Sequence, residues 1–150
     1  MRLLDKEGIS YRVFTYEVEN GFVDGVSVAE KIGQPMEKVF KTLVAQGTSQ
    51  EYYVFIIPVA SELDLKAAAR VVKEKAVEMI KVKDLPKVTG YIRGGCSPIG
   101  MKKTYQTVLD SSSQQLESII FSAGKPGYQV ELAPQDLLQI LPVKVEKITK

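Results

Sequence analysis

The 150-residue sequence predicts an α+β domain built on a mixed, barrel-like β-sheet with surrounding helices. Apolar residues make up 45% of the chain and charged residues 25%, the balance of one globular domain with a single core, spanning residues 1–150. Short β-branched and aromatic runs recur along it, and helical segments interrupt them irregularly instead of alternating as in a parallel βαβ fold. No low-complexity tract, internal repeat or long Pro/Gly linker divides the chain.

Taken in order, residues 3–6 form a short first helix that stops at Gly8, followed by an aromatic and β-branched strand at 11–16. Ser27-Val28-Ala29-Glu30 has the form of a capping box, in which serine and glutamate side chains satisfy free amides of a first turn, and the helix it opens ends at Gly33. Residues 39–45 and 52–59 read as neighbouring strands joined by the polar turn Gly47-Thr48-Ser49-Gln50, an antiparallel hairpin. Ser61 caps a helix through Ala67-Ala68-Ala69 to about Val72. Further strands are expected at 91–93, 107–110, 118–122 and 128–132, with helices near Gln114 and over 134–141. The alternating segment 143–148 reads as an edge strand whose lysines discourage pairing with another chain.

Composition narrows the chemistry. The first six residues lack the apolar stretch of a signal peptide, and the longest apolar run, residues 52–60, is too short to cross a bilayer, so a cytoplasmic protein is expected. The chain has no histidine, which excludes a Ser-His-Asp triad, a Cys-His pair and H-E-x-x-H zinc chemistry; neither a metal nor a cofactor is expected. A single cysteine, Cys96, allows no internal disulfide. The net charge of +2 falls far short of a dedicated nucleic-acid binder, although Lys73 and Lys75, Lys81, Lys83 and Lys87, and Lys102 and Lys103 form local basic clusters.

Two features stand out as candidate chemistry. Lys41 sits within Val39-Phe40-Lys41-Thr42-Leu43-Val44, where strand alternation gives it apolar neighbours on its own face. A lysine so placed either reaches the edge, pairs with a carboxylate, or faces a pocket for an anionic or carbonyl-bearing ligand; taken alone, the ordinary strand lysine is the commoner case. The loop Gly94-Gly95-Cys96-Ser97-Pro98-Ile99-Gly100 has backbone amides that can approach a ligand closely, yet it matches neither a P-loop nor a dinucleotide fingerprint, and a plain turn explains it equally well. Cys96 lacks a histidine to activate it and is read as a structural cysteine. Tyr16 and Phe22 flank a short polar loop and either wall a pocket or belong to the core.

Together, Val39-Phe40-Lys41-Thr42-Leu43, Leu63-Asp64-Leu65-Lys66, Thr89-Gly90-Tyr91, the Gly94 to Gly100 loop with Lys102-Lys103, and Ser122-Ala123-Gly124-Lys125 resemble the YbaK/EbsC family in order and spacing. The family includes deacylases of mischarged aminoacyl-tRNA and editing domains of bacterial prolyl-tRNA synthetases. The resemblance implies a mixed, barrel-like sheet with a pocket for the aminoacyl-adenosine end of tRNA, and it is nearest to the YbaK type, which removes cysteine from tRNA(Pro). It makes Lys41 the catalytic pocket residue. Tyr16, Phe22, Thr42, Gly94, Gly95, Ser97, Ser122, Gly124 and Gln129 become substrate-binding positions. Gln129 departs from the aspartate that YbaK-type members can carry, while Glu131 lies two residues on, facing the same side of its strand. The implied chemistry is substrate-assisted, the cysteine thiol attacking its own ester, with prolyl-tRNA synthetase as a partner. Alternatives are removal of alanine or another small amino acid, and a non-catalytic module that binds tRNA or a synthetase.

Overall fold

The computed structural model describes residues 2–18 and 23–150. In chain order the elements are α1 (Arg2–Lys6), β1 (Arg12–Thr15), α2 (Gly25–Ile32), β2 (Phe40–Gly47), β3 (Tyr52–Pro58), α3 (Leu65–Val71), β4 (Val77–Met79), α4 (Leu85–Thr89), β5 (Gln106–Asp110), β6 (Ile119–Ser122), β7 (Tyr128–Leu132), α5 (Pro134–Ile140) and β8 (Val143–Glu146). Short 3₁₀ turns occupy Val82–Asp84 and Ser111–Gln115.

The expected α+β class is observed, as two open sheets and not a closed barrel. One has the order β1-β7-β6, all antiparallel; the other runs β4-β2-β3-β5-β8, antiparallel through β3 and parallel beyond it. They meet at a seam, where Val39 bridges Ile120 and the Ile120 amide donates to the Lys38 carbonyl at 2.9 Å. Period-two alternation explains the packing. Phe40, Val44 and Ile56 from the larger sheet meet Ile119, Phe121 and Val130 from the smaller one in the main core, while Ala45, Phe55 and Ile57 point the other way, onto α3. A third, smaller cluster of Ala29, Val39, Val59 and Ile120 seats α2 over the seam.

The hairpin forms as read, with Lys41 opposite Ile57 and Val44 opposite Val54. The expected strands at 107–110, 118–122 and 128–132 appear as β5, β6 and β7, and β8 is an edge strand. Both helix caps lie elsewhere than expected. Asp24 caps α2, accepting from the Ser27 amide at 3.0 Å and the Ser27 hydroxyl at 2.9 Å, so Ser27 supplies donors to a cap already in place. Asp64, not Ser61, caps α3, accepting from the Lys66 and Ala67 amides, both at 3.1 Å. The strand expected at 91–93 does not form. Gly90, at φ 88°, ends α4, after which the Tyr91 amide donates to Thr89 Oγ1 at 3.0 Å and the Tyr91 hydroxyl donates to the Ile99 carbonyl, fixing an irregular segment.

Candidate functional site

The elements above converge on a cavity of about 360 Å³, at the lower end of the roughly 300–1,000 Å³ typical of small-molecule sites. It straddles the seam. Lys41, Thr42 and Leu43 of β2 form one wall, while Ser122 of β6, Gln129 of β7 and Tyr16 just after β1 form the opposite one. The lip comes from the start of α2 (Asp24, Gly25, Val26 and Val28), with Val59 beside it, and from the loop residues Arg93, Gly94 and Cys96.

Lys41 is half-buried and makes no salt bridge to any described residue. Burial lowers its pKa, and the negative charge of Glu62 opposes that shift. Its amino group is thus partly stripped of water within a cavity whose lining includes the apolar residues Val39, Phe40, Leu43 and Val59. Across the seam, Gln129 is only 5% exposed and Ser122 9%, directly paired in the β6/β7 register. The Ser122 hydroxyl is engaged, accepting from the Gly124 amide at 3.3 Å. Thr42 Oγ1 is buried with no hydrogen-bond partner among the described residues. Tyr16 is fixed by its amide, which donates to the Gly127 carbonyl at 3.0 Å.

Cys96 also lines the cavity, but burial pushes its thiol up to about 12, against a smaller opposing effect of the Thr89 hydroxyl. At neutral pH it is a protonated thiol, not a nucleophile.

Of the residues expected at the site, Lys41, Tyr16, Thr42, Gly94, Ser122 and Gln129 meet in this cavity. Phe22 lies outside the described residues. Gly95, Ser97 and Gly124 do not line it, and each has a structural task instead. A Cβ on Gly95 would stand 2.7 Å from Pro126 Cδ and 2.8 Å from Lys125 Cα, so only glycine lets the loop seat against the β6–β7 turn. Ser97 is fully buried, its hydroxyl accepting from the Ile99 amide at 3.2 Å. Gly124, at φ 115°, turns the chain against the Tyr91 ring. Glu131 is likewise engaged away from the cavity, with Lys38 and Ser118.

Sequence reading missed the lip built by α2. Asp24 caps the helix, and Gly25 permits its close approach to Val59, just after β3, because a Cβ there would lie 2.5 Å from Val59 Cγ1. That contact is tertiary and had no local signature.

Residues 23–140 match the family model described as the aminoacyl-tRNA editing domain. A relative in Enterococcus faecalis, EbsC, named as a candidate Cys-tRNA(Pro)/Cys-tRNA(Cys) deacylase, is 43% identical over 149 residues, covering 99% of this chain and 91% of its own. Among solved structures, a candidate trans-editing enzyme for prolyl-tRNA synthetase superposes with a TM-score of 0.85 at 21% identity, over 98% of this chain and 92% of that one. The hypothetical protein APE2540 superposes with a TM-score of 0.89 at 17% identity, over 99% and 97%. At these identities the two structures show the shared fold.

Proposed function

The chain belongs to the aminoacyl-tRNA editing domain family, and from that premise we propose that it is a trans-editing hydrolase that deacylates mischarged tRNA in the cytoplasm, with Cys-tRNA(Pro) as its principal substrate. The observation that carries this reading is Lys41, half-buried and with no salt bridge to any described residue, which lines with Ser122 and Gln129 a cavity large enough for an aminoacyl group. The 43% identical relative bears the name of a candidate deacylase of cysteinyl-tRNA.

In this reading the protein binds and orients while the substrate supplies the nucleophile. The cysteine sulfur attacks its own ester carbonyl; the sulfur–carbon bond forms as the carbon–oxygen ester bond breaks, and the thiol proton ends on the released ribose hydroxyl. Water then opens the four-membered thioester to free cysteine. The absence of histidine from the chain and the protonated state of Cys96 favour a nucleophile from the substrate. Holding reacting groups in line is worth on the order of 7–11 kcal/mol in well-aligned intramolecular cases. Lys41 stabilises the negative charge that develops on the carbonyl oxygen, and Thr42, Gln129 and the Gly94 backbone fix the aminoacyl-adenosine end. With a net charge of only +2, intrinsic affinity for tRNA is modest, and docking on prolyl-tRNA synthetase compensates.

The test is loss of the ester from Cys-tRNA(Pro), Ala-tRNA(Pro), Ser-tRNA(Pro) and Pro-tRNA(Pro), with and without the synthetase. Cysteine is expected to be released fastest, and Lys41→Ala to reduce kcat/KM on the order of a hundredfold or more. Equal rates for cysteine and serine overturn the thiol step. Hydrolysis of none of the four overturns the enzymatic reading.

A further inference from the structure

The two walls of the cavity belong to different sheets. Lys41 and Thr42 stand on β2 of the larger sheet, Ser122 and Gln129 on β6 and β7 of the smaller one. The gap between them is therefore set by whatever holds the sheets together. At the seam, the backbone tie of Lys38 and Val39 to Ile120 is joined by one ion pair: Lys38 Nζ lies 2.6 Å from Glu131 Oε2, and the Ser118 hydroxyl donates to the same oxygen at 2.7 Å. Lys38 is three residues before Lys41, and Glu131 is two residues after Gln129 on the same side of β7, so the pair is directly coupled to both walls. The side chains are 28% and 13% exposed, which places the contact beyond the screening that weakens surface pairs.

We propose that the Lys38–Glu131 ion pair sets the width of the aminoacyl pocket, making both of them positioning residues that determine how large an aminoacyl group the site accepts. This rests on the deacylase reading above and deepens it. The charged groups facing Glu131 are Lys38 and Arg12, the latter opposite it in the β1/β7 register. Burial raises the Glu131 carboxyl, but Lys38, Ser118 and Arg12 together hold it below its usual value, so Glu131 is a carboxylate at neutral pH. Removing either charge breaks the tie: Glu131→Gln leaves Lys38 and Arg12 without the carboxylate that both face, Lys38→Met leaves that carboxylate without its partner on the larger sheet, and the sheets part at this end of the seam. A wider gap admits bulkier side chains; it does not simply weaken every ligand.

The experiment measures binding of two non-hydrolysable ligands, the 3′-amide analogues of cysteinyl-adenosine and of its β,β-dimethyl counterpart, to the whole protein by calorimetry. The wild type is expected to prefer the smaller ligand. Glu131→Gln narrows the ratio of the two Kd values on the order of tenfold, and Lys38→Met does the same. Lys38→Met keeps the packing of the aliphatic stem and serves alone should Glu131→Gln not fold. A wild-type ratio near one, or a ratio unchanged in the variants, overturns the proposal. Deacylation of Cys-tRNA(Pro), assayed alongside, separates the two readings. Absent hydrolysis with a pair-dependent ratio removes only the enzymatic reading; hydrolysis with an unchanged ratio removes only the role of the seam.

Discussion

Burial acts on Lys41 and Cys96 in the same sense, disfavouring the charged form of each: it lowers Lys41, against the opposing charge of Glu62, and raises Cys96, against the smaller opposing effect of the Thr89 hydroxyl. Both residues line the cavity, and Cys96 keeps its proton until about pH 12. Cys96→Ala is therefore expected to leave kcat/KM within about twofold of wild type, and iodoacetamide at pH 8 to leave the native thiol unmodified. Rapid alkylation, or loss of activity in Cys96→Ala with an unchanged melting temperature, would return Cys96 to the chemistry. The inert Cys96 was legible in the sequence, since a chain without histidine offers a cysteine no base; for Lys41 the apolar neighbours alone favoured an ordinary strand lysine, and only the family resemblance made it a pocket residue. Which loop residues reach the ligand was not legible. Gly94 and Gly95 are adjacent and identical in sequence, and what separates the one that lines the cavity from the one that seats the loop is tertiary: Gly94 turns at φ 85°, while Gly95 lies against Pro126.

Among the elements, the loop between α4 and β5 is rigid for reasons that a substitution can test. Gly95→Ala forces a methyl group into Pro126 and the Lys125 backbone, where no flexible side chain can yield. Thermal melts are expected to show a loss of about 1–3 kcal/mol, and kcat/KM to fall further than in Cys96→Ala, because Gly94 shifts with its neighbour. A neutral Gly95→Ala would mean that the loop adjusts freely. The hairpin of β2 and β3 was readable because alternation there is uninterrupted. The caps were not: Asp24 and Asp64 each lie three residues from the serine that sequence favoured, and aspartate and serine have equal claim to the position. β4 escaped notice because it spans only Val77–Met79 and owes its place to pairing with Ala45, Gln46 and Gly47. The segment after Gly90 looked like a strand through its aromatic and β-branched residues, but Tyr91 spends its hydrogen bonds on Thr89 and Ile99 instead of a neighbouring strand.

For the whole molecule, several carboxylates are bound more tightly to the fold when ionised. The Ser27 amide and hydroxyl lower Asp24. Burial raises Asp110, but the amides of Ile148 and Ser112, with other bonds, more than offset it, and Glu131 behaves in the same way through Lys38. A folded pKa below the unfolded one gives stability that is present above the unfolded value, about 4 for a carboxylate, and is lost as pH falls through the folded value. Melting temperature is thus expected to hold from neutral pH down to about 5 and then to drop steeply, with a shallower fall in Glu131→Gln; a flat profile to pH 3 would contradict it. The α+β class was legible from composition and the mixture of elements, but the division into two sheets was not, because it depends on Val39 meeting Ile120 far along the chain. The placement of β8 carries a further consequence, in time. The Asp64 amide donates to the Ile148 carbonyl at 2.7 Å and Leu63 bridges Thr149, so the final strand and the residues after it lock an early part of the fold. Synthesised from the N-terminus at roughly 5–20 residues per second, the chain has every described wall of the cavity in hand before β8 arrives. Until then β5 presents a bare edge, the half-built sheet is open to pairing with other nascent chains, and the arrival of β8 ends that exposure.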